Sequence, residues 1–303
     1  MTRKPVLINL VGPTASGKTK VALELALALG TEIISADSRQ IYKEMRIGTA
    51  VPSEEELQAV KHHFIRSVSI QEPYSASQFE KDALEKIKTL SEKYPKILMT
   101  GGTGLYFHAV NYGLDDIPEV PLEIRLELNR LFETQGIEIL QKELLEKDPA
   151  YYRLADIQNP RRLIRALEVI RHTGKPFSDF RRAKPKQRPF ESIWFGLYWP
   201  REILYERINK RTEMMIQNGL LAEAEQLYPF RHLNALQTVG YRELFEYLDG
   251  KISFDQAVNE IKKNTRRYAK RQMTWFNKNP VIKWIDMTRE NPIQVIMEQI
   301  EKL

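Results

Sequence analysis

The sequence contains no cysteine. Disulfide frameworks and thiolate-held zinc are thereby excluded, and the absence agrees with a reducing compartment, so the chain is read as cytoplasmic. No apolar run reaches the roughly eighteen residues that cross a bilayer. The basic opening MTRKPVLINLVGP is too short for a secretory signal, so no membrane partner is expected. The adjacent pair His62–His63, read as lying on a helix, would point in two directions and lacks an H-E-x-x-H partner, which argues against a transition-metal site. There is no internal repeat and no low-complexity tract. What remains is ordinary for a globular protein: 303 residues, 42% hydrophobic and 28% charged, enough for one large domain or a core with a smaller appendage.

The formal net charge is +6. The total decides little, but its distribution is uneven. Between Arg161 and Arg188 the chain carries Arg161, Arg162, Arg165, Arg171, Lys175, Arg181, Arg182, Lys184, Lys186 and Arg188 against only Glu168 and Asp179. Between Lys262 and Lys278 there is no acid at all. Two such stretches suggest a polyanionic partner, although either one alone reads equally well as a solvated helix face.

Val6–Val11 is a continuous apolar run ending at Gly12-Pro13, the pattern of a strand buried on both faces. A helix to about Leu29 follows, stopped by Gly30. The stretches TEIISADS and KILMTGGTGLYFHAV repeat the strand-then-turn pattern, with a crossover helix expected over Ser77–Tyr94. Strands alternating with helices predict an α/β fold: a P-loop-like parallel sheet flanked by helices, with functional groups at the carboxyl ends of the strands. The stretch from Leu122 to Arg171 is helical without strand candidates, and SIWFGLYW returns as a strand. The expected organisation is therefore a core of 1–113 and 191–303, with an all-helical insertion at 114–190. In the later chain, helices are expected over Glu202–Asn218, Arg242–Leu248 and Asp255–Asn277, with a last strand at VIKWID.

The stretch GPTASGKT, comprising Gly12, Pro13, Thr14, Ala15, Ser16, Gly17, Lys18 and Thr19, fits G-x-x-x-x-G-K-[ST] between a strand and a helix. Backbone N–H groups around Ala15–Lys18 can face phosphate oxygens at the positive end of a helix dipole. Lys18 adds a point charge, and the Thr19 hydroxyl can ligate Mg²⁺. Asp37, just past the second strand, reads three ways: a Mg²⁺ ligand, a general base, or a helix N-cap. GGTG, Gly101 to Gly104, is either a second close approach of backbone to a ligand, with the Thr103 hydroxyl at hand, or a tight turn. Arg207 and Arg211 lie one helical turn apart and can reach one anion. In TRRYAKRQMTWF and just ahead of it, Lys263, Arg267, Lys270 and Arg271 share one side of a helix, and Tyr268, Gln272 and Trp275 another. The cations can track a nucleic-acid backbone. The aromatics read as core anchors more readily than as stacking groups.

Taken in order, GPTASGKT, ISADSRQIY, GGTGLY, NPRRLIRALEV, GKPFSDF, TVGYRE and TRRYAKRQMTWF closely resemble the tRNA dimethylallyltransferase family, in blocks running from Gly12 to Phe276. The resemblance implies transfer of a dimethylallyl group from dimethylallyl diphosphate, with Mg²⁺, to N6 of the adenosine 3′-adjacent to the anticodon, position 37 of the tRNA. It implies that Asp37 is the general base and that Thr103 helps position donor and acceptor. Lys18, Thr19, Arg207 and Arg211 would then stabilise the departing diphosphate, Arg211 being counted with the catalytic groups. Contacts to the tRNA anticodon stem-loop are implied for Asp37, Ser38, Arg39, Gln40, Thr103, Arg125, Arg161, Arg162, Leu163, Ile164, Arg165, Gly240, Tyr241 and Arg242, with the insertion closing on the RNA. Arg66 stands where the family usually has an acid, and the chain is read as a monomer. The rival readings are an NTP-dependent small-molecule kinase with the same phosphate loop, an enzyme that prenylates free adenine nucleotides, and a P-loop protein that holds RNA without modifying it.

Overall fold

The computed structural model describes residues 4–181 and 184–302; Arg182 of the basic stretch lies outside them. The chain divides into two units, Met1–Asn111 with Gln187–Leu303, and Tyr112–Lys186. Residues 187–190, grouped with the insertion in the sequence reading, belong to the first unit, where Arg188 forms an ion pair with Glu80 at 2.6 Å.

In the first unit the apolar run Val6–Val11 forms strand β1, all six residues buried. Its one polar member, Asn9, is satisfied by the side chain of Asn111 and the carbonyl of Ile193. Then come α1 (Lys18–Leu29), β2 (Ile33–Ser35), α2 (Glu54–Ala59), β3 (His62–His63), α3 (Ala76–Ser91), β4 (Lys96–Gly101) and α4 (Gly104–Tyr112). His62–His63 is thus a short edge strand and not part of a helix. Neighbouring strand residues face opposite sides of a sheet, so the pair still cannot share one ion.

The chain continues through α5 (Leu122–Gln135), α6 (Glu138–Lys147), α7 (Pro149–Leu154) and α8 (Pro160–Thr173), and returns through β5 (Glu191–Tyr198). After it come α9 (Arg201–Gln217), α10 (Leu220–Leu227), α11 (Tyr241–Leu248), α12 (Phe254–Phe276), β6 (Lys283–Asp286) and α13 (Pro292–Ile300). The six strands are parallel in the order β3-β2-β4-β1-β5-β6. The connection from β1 leads to β2 on one side of the sheet and that from the neighbouring β4 leads to β5 on the other, so the carboxyl ends of these two strands mark a topological switch point, where open α/β sheets form their ligand crevice.

Close approach at the end of β4 fixes the neighbouring loops. A Cβ on Gly101 would stand 2.2 Å from the carbonyl oxygen of Ala36, which also accepts the N–H of Thr103 at 3.1 Å. Only glycine lets the segment after β2 lie against the GGTG turn. Gly101→Ala is therefore expected to destabilise the protein by about 1–3 kcal/mol, the usual cost of overpacking, measured by urea denaturation; an unchanged midpoint would contradict it.

The second unit is helical throughout its regular elements. Its core gathers Leu128, Leu140, Leu144, Leu163 and Leu167 from α5, α6 and α8. Asn159 caps α8 by accepting the N–H of Arg162. Buried Asp148 caps α7 and also accepts the N–H and hydroxyl of Ser178 at 2.7 and 2.9 Å. The GKPFSDF segment is thus clipped to the helices of its own unit.

Candidate active site

The loop from β1 to α1 closes with Gly17 as N-cap of α1 at φ 93, a left-handed conformation suited to glycine. Ala15, at φ 63, costs about 1–2 kcal/mol as an L-residue in that region. Two side chains from the far end of the chain hold it there. Arg207 Nε donates to the carbonyl of Ala15 at 2.8 Å, and Gln272 Oε1 accepts the N–H of Thr14 at 2.8 Å. Arg207 also lies over the ring of Trp199, 4.5 Å from its centroid, while Trp199 Nε1 donates to the carbonyl of Ser16.

Lys18 Nζ donates to the carbonyls of Gly12 and Pro13 at 2.9 and 2.7 Å. Burial pulls its pKa down to about 7, with Asp37 opposing that shift and Arg211 adding to it. Burial likewise lowers Arg211, against the pull of Asp37. The Lys18 value has a sign that can be tested. The unfolded chain holds this proton up to the ordinary lysine range, so between about pH 7 and 10.5 it binds more protons than the native state. Lys18 then adds to stability as pH rises through that window. An anion seated beside Lys18 favours its charged form. Calorimetric binding of inorganic diphosphate at pH 8, compared across buffers of different ionisation enthalpy, is expected to show proton uptake that Lys18→Arg abolishes. Equal uptake by both proteins would contradict it.

Asp37 follows β2. Its Oδ1 accepts the N–H groups of Arg39 and Gln40 at 2.9 and 3.3 Å, so one oxygen caps a turn; no helix starts there, so it is not the helix N-cap of the third reading. Oδ2 takes no hydrogen bond among the described residues, and lies 3.9 Å from where a Cβ on Gly102 would stand. Thr103 Oγ1 accepts the N–H of Ser38 and donates to Ser38 Oγ. Gln272 completes the frame: while it accepts from Thr14, its Nε2 donates to the carbonyl of Gly102 at 2.9 Å, tying the phosphate loop to the GGTG turn.

These groups surround one cavity of about 650 Å³. Thr14–Thr19, Asp37, Ser38, Arg39, Gln40, Arg207, Arg211, Gly240, Arg242, Tyr268 and Gln272 line it. Gly12, Pro13, Thr103 and Tyr241 border it without lining it. Arg39 and Gln40 spend their side chains on protein carbonyls, Arg39 on Asn234 and Ala235, Gln40 on Thr49 and Ala50. Tyr241 is fully buried and donates its hydroxyl to Glu223 at 2.7 Å, so its side chain is core, contrary to the expected RNA contact. Tyr268 faces the cavity and feels the charge of Asp37, and Trp275 is 44% exposed. Neither is the core anchor expected of it. Sequence reasoning placed Gln272 on a helix face but missed its bridge. The available signal was a polar residue at helical spacing between buried Ala269 and Phe276.

In the helical unit, Leu163 and Ile164 are buried. Their side chains pack the core between α8 and its neighbours, which corrects the expectation that they touch RNA. Arg125 donates to buried Glu168 through Nε and Nη2 at 2.6 and 2.7 Å, and Arg165 joins the same carboxylate. Arg171 is held by Glu143 and Glu127, and Lys186 by Asp116. Arg161 and Arg162, exposed at the first turn of α8, form no ion pair among the described residues. Of the nine described cations of the basic stretch, Arg165, Arg171, Lys186 and Arg188 are thus ion-paired, while Arg161, Arg162, Lys175, Arg181 and Lys184 are exposed and form no ion pair among the described residues. On α12, Lys262 and Lys263 are likewise paired, with Glu213 and Glu260. Arg66 pairs with Glu54 at 3.7 Å on the surface.

Among the described residues no cluster of three or more histidine or acidic side chains is placed to hold a metal. The Thr19 hydroxyl lines the cavity, and the buried Ser16 Oγ in the same loop has no hydrogen-bond partner in the chain. This donor set fits Mg²⁺, which keeps several waters and is commonly bound through few protein groups and substrate phosphates.

The model of the IPP transferase family matches residues 40–279. Over 280 residues the chain is 56% identical to the tRNA dimethylallyltransferase of Christiangramia forsetii, covering 92% of this chain and 93% of that one. It is 48% identical over 303 residues to the corresponding protein of Flavobacterium johnsoniae, with 97% and 98% covered. Among solved structures, the full-length tRNA isopentenylpyrophosphate transferase of Bacillus halodurans aligns with a TM-score of 0.72 at 38% identity, over 99% of this chain and 95% of that one. A eukaryotic dimethylallyltransferase acting on tRNA shares the fold at a TM-score of 0.83 and 24% identity, over 98% and 80%.

Proposed function

The chain belongs to the IPP transferase family, and from that premise we propose that its cavity transfers a dimethylallyl group from dimethylallyl diphosphate to N6 of adenosine 37 of tRNA. The observation that carries this reading is the convergence of two chemistries in one cavity: the phosphate loop with Lys18, Arg207 and Arg211, and the carboxylate of Asp37 with one oxygen uncommitted.

The donor diphosphate is bound by the backbone amides at the start of α1, where the helix dipole favours anions. Lys18 exchanges its loop carbonyls for phosphate oxygens, and Arg207 and Arg211 complete the cationic wall. The Thr19 hydroxyl, together with the diphosphate, would hold Mg²⁺, which when bound would further neutralise the leaving group. The N6 atom forms a bond to the allylic carbon as that carbon's bond to oxygen breaks, and diphosphate departs with the electron pair. Asp37 Oδ2 takes the N6 proton, while Oδ1 stays locked on the turn of Arg39 and Gln40. Negative charge grows on the diphosphate as the bond stretches, so cations fixed beforehand act most strongly at the transition state.

The acceptor atom sits in a stacked loop, so the adenine must be extruded to reach Asp37. Arg161 and Arg162 of the helical unit supply phosphate contacts; Arg125 and Arg165, oriented by Glu168, add two half-exposed guanidinium groups. Incubating the protein with labelled dimethylallyl diphosphate and unmodified tRNA, then digesting the RNA to nucleosides, tests the reading. Label in N6-isopentenyladenosine is expected. No label in RNA, with phosphate transfer from ATP to a small molecule instead, would favour the kinase alternative.

A further inference from the structure

Glu223 of α10 does not line the cavity and forms no ion pair among the described residues, yet each of its oxygens accepts two hydrogen bonds. Oε2 accepts the N–H groups of Arg46 and Ile47 at 3.1 and 2.8 Å. Oε1 accepts the N–H of Gly48 at 2.9 Å and the hydroxyl of Tyr241 at 2.7 Å. Successive backbone N–H groups turned to one side make a concavity suited to an anion, and here a carboxylate of the same chain fills it. Burial, with the charge of Glu223 beside it, pushes the Tyr241 hydroxyl well above the ordinary tyrosine range, so it stays a donor. The Tyr241 ring lies against the backbone of Gly48. Hydrogen bonds to an ionised acceptor are stronger than those between neutral groups, and four of them converge on this one side chain.

What these bonds hold is one wall of the site. Gly48, Thr49 and Ala50 line the cavity. Ala50 stands at φ 47, a left-handed conformation that persists in an L-residue only where the surrounding structure imposes it. Gln40 Nε2 donates to the carbonyls of Thr49 and Ala50 at 3.2 and 2.9 Å, and the N–H of Gln40 donates to Asp37 Oδ1 at 3.3 Å. An unbroken line of bonded segments therefore runs from Glu223 through the 46–50 loop to Gln40, and from Gln40 to the carboxylate of Asp37. The phosphate loop has its own braces in Arg207 and Gln272. Donor side and acceptor side of the cavity thus rest on separate supports.

We propose that Glu223 is a positioning residue for the transfer step: by anchoring the 46–50 loop it fixes Gln40, and through Gln40 the direction in which Asp37 presents Oδ2 to the acceptor. The proposal rests on the reading of Asp37 as the base. Its test is a cycle of single-turnover rates on an anticodon stem-loop with saturating dimethylallyl diphosphate. In Glu223→Gln the new NH₂ group meets a backbone N–H whichever oxygen it replaces, so the loop loses its anchor. A loss of about 10- to 100-fold is expected, the cost of a misplacement of about 1 Å at a reacting group. With Asp37→Asn already present, the same substitution should change the residual rate by less than about twofold, because the group it positions no longer takes the proton. A general weakening of the fold would slow both backgrounds alike. Kd for inorganic diphosphate should stay within about twofold of the wild type, since the phosphate loop is braced elsewhere. Tyr241→Phe removes one of the four donors and keeps the ring; it should lose about three- to tenfold, again only where Asp37 is present. The role is overturned by a wild-type rate in Glu223→Gln, by equal losses in the two backgrounds, or by a diphosphate Kd that rises with the loss. If Glu223→Gln fails to fold, Tyr241→Phe decides by the same three outcomes. If Asp37→Asn alone keeps the wild-type rate, the base assignment itself fails, and the positioning role with it.

Discussion

Asp37→Ala is expected to slow dimethylallyl transfer by roughly 10²–10⁴-fold, the usual contribution of a positioned general base. Donor affinity should change little, because the phosphate loop is held by Arg207 and Gln272 and not by Asp37. The two oxygens have separate tasks, so Asp37→Asn is the sharper variant. Its amide oxygen can still accept the N–H groups of Arg39 and Gln40, preserving the turn while removing the base. Single-turnover rates on an anticodon stem-loop are the measurement. If Asp37→Asn keeps the wild-type rate, the carboxylate does not take the N6 proton. If Asp37→Asn is as slow as Asp37→Ala with tRNA affinity retained, the loss lies in proton removal and not in the turn.

Lys18→Ala is expected to cost about 10²–10³-fold in the transfer step, comparable to removing one fixed donor from a developing anion. Lys18 and Arg211 are both half-buried, and each bears on the same carboxylate, Asp37. Removing Lys18 leaves Arg207 and Arg211 to meet the growing charge. The effect should be larger on kcat than on KM for dimethylallyl diphosphate, because the ground-state diphosphate keeps its amide contacts while the transition state loses a cation. A variant that raises KM alone would show that Lys18 contributes uniform binding only. Arg207→Ala is the informative comparison, since Arg207 also braces Ala15 in its strained conformation; it should weaken donor binding as well as turnover.

How much of this was readable in the residues depends on the range over which each signal acts. The phosphate loop was readable because its parts are local: an apolar strand, Gly17 at a left-handed cap and Lys18 at the mouth of α1 lie within a few residues of one another. The parallel sheet followed from alternating strand and helix patterns. The edge strand His62–His63 did not, since two residues carry no period. Charge was misleading for a physical reason. Arg125 and Glu168 are far apart in sequence, yet form a double hydrogen bond, so a count of basic residues along a segment says nothing of which are already neutralised. Leu163 and Ile164 sit between exposed and half-exposed arginines in NPRRLIRALEV, but the helical period turns them inward to the core of their unit. The division of labour between the two oxygens of Asp37, and the bridge of Gln272 from Thr14 to Gly102, join segments that only the fold brings together.

The most direct measurement is a crystal structure with a non-reacting thiolo analogue of dimethylallyl diphosphate and an anticodon stem-loop. The account predicts the diphosphate on the amides of Ala15–Thr19 with Lys18 turned onto it, and the adenine N6 within hydrogen-bond reach of Asp37 Oδ2. A diphosphate bound elsewhere, or an adenine whose N6 faces away from Asp37, would contradict it.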